Sequence, residues 1–211
     1  MKKLLAIILA LSLCLCAALA CAETVKVGVV GENNEQWEQV IISTLAAEGI
    51  EIELVKFSDY IMPNIALAEG EVDLNAFQHY NFMNNWSAEN GTELVAVCDT
   101  LIAPLCIYSE KYTSLDEVKE GDGIAIMNDV VNEARALRML EAAGLTNDQA
   151  LYMEQYDPNN PDMHGIINVI AARADRADEA VFARIAEAYH TDEVRELFNT
   201  VYKGVYIPAW Q

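Results

Sequence analysis

The sequence predicts an α/β fold in which helices cover a parallel or mixed sheet. Three observations carry that expectation. Short runs with strand-like alternation take turns with longer runs of helical periodicity. The helical runs stop at glycines, Gly49 and Gly70, as helices commonly do. The aromatic and polar residues that stand out cluster where strand gives way to helix, the edge at which open α/β sheets bind ligands.

In chain order, Thr24 to Val30 alternates like a strand entering a core, and Gly31-Glu32-Asn33-Asn34 is a turn. Glu35 to Glu48 places Trp37, Val40, Ile41, Thr44 and Leu45 at helical spacing. Ile50 to Phe57 reads as a second strand, Met62 to Glu69 as a short helix, and Val72 to Phe77 as a third strand. His79 to Asn90 suits a helix and Glu93 to Val97 a fourth strand. Leu101 to Ser109 is apolar and extended, but Pro104 fits an edge or a crossover better than a central strand. Ser114-Leu115-Asp116-Glu117 has the form of a capping box. Gly123 to Asn128 is strand-like, and a helix follows through Arg135, Leu137, Met139 and Leu140 to stop at Ala143-Gly144-Leu145. Asp157 to Asp162 is a loop, Ile166 to Ala172 an apolar strand, and Glu179 to His190 and Asp192 to Tyr202 are helices. The tail is expected to pack Val205, Tyr206, Ile207 and Trp210 onto the rest.

Lys2-Lys3 and an uncharged run from Leu4 to Ala22, ending in small residues, read as an export signal over residues 1–22. The run is also long enough for a membrane anchor, although its alanine-rich end favours cleavage. Ala20-Cys21-Ala22 suits an ordinary signal peptidase, whereas Ala18-Leu19-Ala20-Cys21 is an imperfect lipoprotein box that would leave a lipid on Cys21. Losing the leader removes two lysines and no acid, so the formal charge of −20 becomes −22. Nucleic acid and anionic membrane surfaces reward positive charge and are poor partners for such a chain. Of five cysteines only Cys98 and Cys106 lie beyond the leader, either as a disulfide or as two free thiols on strands.

The chain contains none of the common nucleotide-binding, hydrolase or zinc-protease motifs, so an enzyme is not expected. His79, His164 and His190 have no metal-ligand spacing, and no cofactor is implied. Binding chemistry is better represented. Tyr60 ends one strand-like run, and Phe77 and His79 end another, with Phe82 one turn further on. Together they would wall an aromatic pocket, although aromatic rings also serve as ordinary core. Asn128, Asn132 and Arg135 gather at a strand-to-helix turn. An arginine near a helix N-terminus opposes the macrodipole, which a bound carboxylate facing its bidentate fork would justify.

The residues then become familiar. VKVGV, FSDYIMPNIALAEGEVDLNAFQHYNF, IAPL-x-IYS-x-K, SLDEV, IAIMND-x-x-NEARALRMLEAAGL, NVIAAR and TDEVRELFNTVYKGVYIPA run in order through almost the whole exported chain. They resemble the NlpA-type family of methionine-binding lipoproteins, the extracytoplasmic receptors of a methionine ABC importer. The resemblance implies a periplasmic-binding-protein-like fold of type II, with two lobes of mixed sheet and ligand in the cleft. It puts lobe 1 at residues 23–107 and 166–211 and lobe 2 at 108–165. It further implies pocket aromatics at Tyr60, Phe77, His79 and Phe82 and a carboxylate-binding Arg135, with Asn128 and Asn132 on the same loop. Methionine or a similar amino acid and an ABC permease are the partners it implies.

One departure bears on function. Ala143-Gly144-Leu145 passes at once into Thr146 to Leu151, which looks like the stretch after a second, later Ala-Gly-Leu in the family. A deletion between the two tripeptides would remove on the order of 60 residues if lobe 2 is a typical small α/β unit. It would take with it a strand ending in an Asn-containing turn that holds the ligand. Two functional readings follow: a working methionine receptor, or a truncated non-transporting remnant displayed at the cell envelope with weak or no binding.

Overall fold

The computed structural model describes residues 23–142, 157 and 160–210. The leader with Cys21 and the Ala143-Gly144-Leu145 junction lie outside the described residues.

Val25, Val27 and Val29 alternate inward along strand β1 (Glu23–Val30), the strand on which the main sheet is built. The sheet runs in the order β2-β1-β3-β6-β4. Strand β2 (Ile50–Phe57) pairs in parallel with β1 over its full length, from Glu23 opposite Ile50 to Val30 opposite Phe57. The short β3 (Leu74–Asn75) is parallel to β1 on the other side. Strand β6 (Val169–Arg173) lies antiparallel between β3 and β4 (Leu94–Asp99). Two residues each of β5 (Leu101–Ile102) and β7 (Ile207–Pro208) form a separate antiparallel ribbon. The sheet is mixed, as expected.

Period-two alternation sends successive side chains to opposite faces, and each face has its own cover. On one face Val25, Val27, Val29, Ile170 and Ala172 meet three helices. These are α1, a π-helical turn Trp37–Ile41 continuing as Ile42–Ala46, α5 (Ala180–Tyr189) and α6 (Asp192–Thr200). On the other face Val72, Leu94, Val169 and Ala171 meet Ala66 and Leu67 of α2 (Met62–Glu69) and Met83 and Trp86 of α3 (Tyr80–Asn90). Gly70 and Gly91 end α2 and α3 in the left-handed region, with φ of 78° and 67°, where a side chain would be strained.

A third, smaller cluster is separate. Met139 and Leu140 of α4 (Val130–Ala142) pack with Leu105, Ile107, Leu115 and Ile124. The expected strand Gly123 to Asn128 does not form here. The segment is extended, but none of its backbone groups takes part in a backbone hydrogen bond among the described residues. Strand character needs a neighbour to pair with, and among the described residues no strand lies alongside.

Other differences are local. The third strand contracts from Val72–Phe77 to Leu74–Asn75: the backbone bends at Phe77 and then runs beside β6, where Gln78 O accepts from Val169 N at 2.9 Å. Ile166 belongs to a 3₁₀ turn, Pro161–Ile166, so β6 starts at Val169. The Ser114 box makes only a 3₁₀ turn, Leu115–Glu117, and Glu117 reaches Thr113 N at 2.8 Å rather than the cap residue's own N–H. In the tail Tyr206 and Trp210 pack on the core, whereas Val205 and Ile207 are exposed. Cys98 and Cys106 are both free thiols. Among the described residues no helix is long and apolar enough to cross a membrane, and no cluster of acidic, histidine or cysteine side chains could hold a metal.

Candidate functional site

A cavity of about 260 Å³ opens at the strand ends, and six of the seven residues singled out from the sequence line it: Tyr60, Phe77, His79, Phe82, Asn132 and Arg135. The seventh, Asn128, is exposed and does not reach it. Its neighbour Met127 lines the cavity instead. In an extended segment adjacent side chains face opposite ways, so one step along the chain decides which residue faces inward.

Each wall residue is placed by local chemistry. Asp59 Oδ1 accepts from Ile61 N at 2.7 Å and Met62 N at 2.8 Å, a turn that starts α2 and fixes the loop carrying Tyr60. Phe77 comes from the end of β3, and its ring stacks on Tyr60 with centroids 6.0 Å apart and planes 16° apart. Phe82, in the first turn of α3, meets both rings edge-on at 5.9 and 6.5 Å. Edge-to-face and offset stacking are the favourable aromatic arrangements, and the three rings make one continuous wall.

His79 is the N-cap of α3: its Nδ1 accepts from Phe82 N at 3.1 Å. With Nδ1 an acceptor, Nε2 carries the proton and donates to Asn132 Oδ1 at 3.0 Å. Asn132 in turn donates from Nδ2 to Asp129 at 3.1 Å, and Asp129 caps α4 by accepting from Asn132 N at 2.8 Å. Burial, the largest cause, pushes the His79 pKa below its ordinary value; the hydrogen bond to Asn132 opposes it, the Arg135 charge adds to it, and the Asp129 charge opposes it more weakly. The imidazole is therefore a neutral link between α3 and α4.

Arg135 is buried, with 6% of its surface exposed, and its Nη2 donates to Ala103 O at 3.0 Å. A guanidinium taken out of water at the wall of a cavity provides a charge in a low-dielectric setting, where its attraction for an anion is stronger than at a surface. A ring wall beside a buried cation can hold an amphipathic molecule with an apolar arm and an anionic head.

Gln78, Asn168 and the Ala103-Pro104-Leu105 run also line the cavity and were not foreseen. Asn168 bridges His79 just ahead of β6, and a polar residue opening the apolar NVIAAR run was the available signal. The other two histidines are engaged elsewhere, His164 against the Tyr80 ring at 4.6 Å and His190 against Trp210 at 5.2 Å. A larger cavity, about 430 Å³, lies beside the third hydrophobic cluster. Its polar side chains already satisfy one another, Asp122 taking Lys111 Nζ at 2.7 Å and Tyr112 Oη at 2.8 Å.

Comparison with known proteins gives consistent relatives. The outer membrane lipoprotein 3 of Mannheimia haemolytica is 33% identical over 242 residues, covering 90% of this chain and 91% of its own. The D-methionine-binding lipoprotein MetQ of Escherichia coli K12 is 29% identical over 239 residues, covering 88% of each chain. That aligned span exceeds the 211 residues present here, so the relative carries residues that this chain lacks. Among solved structures, the substrate-binding protein of a methionine transporter from Streptococcus pneumoniae superposes with a TM-score of 0.80 at 31% identity, over 89% of this chain and 96% of that one. A nutrient-binding protein from Burkholderia cenocepacia bound to methionine gives 0.74 at 25% identity, over 88% of this chain and 100% of that one. The fold is accordingly that of these substrate-binding proteins, with a shortened second lobe. The model of the NlpA lipoprotein family matches residues 25–150, more than half the sequence, and the chain belongs to that family.

Proposed function

We propose that this chain is the extracytoplasmic substrate-binding protein of an ABC importer, and that it takes methionine or an amino acid of similar shape. The observation that carries the reading is the three-ring wall of Tyr60, Phe77 and Phe82 set in one cavity with the buried Arg135. A thioether gains about 0.3–1.5 kcal/mol from contact with an aromatic ring, and the guanidinium fork matches a carboxylate. A volume of about 260 Å³ is just below the roughly 300–1,000 Å³ of pockets for drug-sized ligands and fits a single amino acid. Asn132, held by His79, and Asn168 supply the remaining polar contacts, His79 offers its ring face, and Asn128 is dropped from the ligand set. The protein is a binding protein and not an enzyme. It works outside the cytoplasmic membrane, hands its ligand to a permease, and is anchored through a lipid on Cys21 if the leader is cut there.

A second reading has its own support. The segment Gly123–Asn128, which pairs with no strand among the described residues, and the residues missing relative to MetQ leave one wall of the cleft short. On that reading the chain is a non-transporting remnant that binds weakly. Isothermal titration of the exported form with L- and D-methionine separates the two: micromolar or tighter binding supports the receptor, and no measurable heat supports the remnant.

A further inference from the structure

Behind the aromatic wall, three side-chain amides close a ring of hydrogen bonds out of contact with water. Asn64, Asn75 and Gln78 are 0%, 0% and 2% exposed. Asn64 Nδ2 donates to Gln78 Oε1 at 2.8 Å, and Gln78 Nε2 donates back to Asn64 Oδ1 at 2.7 Å, a reciprocal amide pair. Asn75 joins from the side, giving Nδ2 to Asn64 Oδ1 at 2.7 Å and to Pro63 O at 3.3 Å, and accepting from Gln78 Nε2 at 3.0 Å.

The three residues come from the pieces of chain that carry Tyr60, Phe77 and His79. Asn64 is in the first turn of α2, directly after the Tyr60 loop, Asn75 is in β3, and Gln78 sits between Phe77 and His79. Gln78 also borders the cavity, but its amide is held in the interior by Asn64 and Asn75; neighbours on an extended chain project to opposite sides, so that hold sets how Phe77 and His79 enter the cavity. The Gln78 carbonyl extends the same hold to β6, through Val169 N, next to Asn168. Apolar side chains would fill this space without desolvating any amide. A satisfied polar network fixes direction and distance as apolar packing does not.

We infer that Asn64, Asn75 and Gln78 are positioning residues, which set the affinity of the aromatic site by holding Phe77 and His79 in place. The inference rests on the proposed methionine site, so its test includes a readout that needs no ligand. Gln78→Met keeps length and removes every hydrogen bond of the side chain. Gln78→Glu is the conservative partner: buried beside two amide oxygens its carboxyl is held protonated, and as a neutral acid it reproduces the donor and the acceptor facing Asn64.

In the exported chain, Gln78→Met is expected to weaken methionine by about tenfold, the order at which supporting residues act on a site. Hydrogen exchange should quicken across residues 76–83 while the helices α5 and α6 keep their protection. Gln78→Glu should bind like wild type near pH 6.5 and lose that affinity near pH 8.5, where ionisation sets its oxygens against those of Asn64 and Asn75. Wild-type affinity and unchanged local exchange in Gln78→Met would make the triad ordinary core and overturn the inference. Uniformly faster exchange, including α5 and α6, would do the same by showing a general loss of stability. If wild type binds no methionine, the functional reading fails, and local exchange with its rescue by Gln78→Glu still decides the positioning role.

Discussion

Removing the guanidinium of Arg135 tests the site most directly. The side chain is 6% exposed and lines the cavity opposite the ring wall. A hydrogen bond to a charged group contributes roughly 1.5–3 kcal/mol, so Arg135→Ala should weaken methionine about ten- to a hundredfold. The same change also strips the bond to Ala103 O and leaves space in the wall, so a ligand control is needed. Methioninol, which has the thioether arm and no carboxylate, provides it. Titration calorimetry should show methionine losing affinity in Arg135→Ala while methioninol, already weak, changes by less than about threefold. Arg135→Lys should fall between wild type and alanine, because a point charge replaces a fork. Equal losses for both ligands would refute the reasoning, since the arginine would then be supporting the wall rather than pairing with a carboxylate.

Four further outcomes are expected. Phe77→Ala removes one face of the Tyr60 stack and should cost about two- to tenfold in methionine affinity, from roughly 0.3–1.5 kcal/mol per ring contact, with unchanged affinity showing the rings to be only core. Because the folded pKa of His79 is depressed, its contribution to stability is full above the unfolded value near 6.5 and is lost as pH falls below it. Urea unfolding at several pH values should therefore show an acid-side decline that His79→Gln reduces. Thiol titration of the exported form with a chromogenic disulfide should find Cys98 and Cys106 free, with Cys98 slow because burial pushes its pKa up to about 12; loss of both thiol equivalents, recovered on reduction, would contradict this. Mass spectrometry of the mature N-terminus should show either Glu23 or a diacylated Cys21, and an intact Met1 would contradict export.

Strands whose neighbours are supplied early in the chain were legible: β1 and β2 appear in the sequence as alternation and in the structure as an unbroken parallel pair. Gly49 and Gly70 marked ends that the backbone needs, with φ of 84° and 78°. Gly123–Asn128 has the composition of a strand and finds no partner strand among the described residues, a fact that no local pattern contains. The ring wall was readable because aromatic residues fell at successive strand ends. The amides behind it were not. Asn64, Asn75 and Gln78 look like surface residues in a sequence, and only their mutual pairing makes burial affordable. Asn128 was misplaced by a single position, which an unpaired segment does nothing to fix. The π turn at Trp37 leaves the helical apolar spacing intact and so gave no sign of itself.

Among the described residues Gly123–Asn128 pairs with no strand, and this has a consequence for handling the protein. An extended stretch without a described strand partner is a template for another strand, the hazard that sheet edges generally present. Against it stands the formal charge of −22 left after the leader is removed, which keeps copies apart. That protection has a range of about 10 Å in 0.1 M salt and about 3 Å in 1 M salt. The colloidal stability of this molecule is thus conditional on dilute electrolyte, and concentrated salt brings the Gly123–Asn128 segments of neighbouring copies within reach of one another.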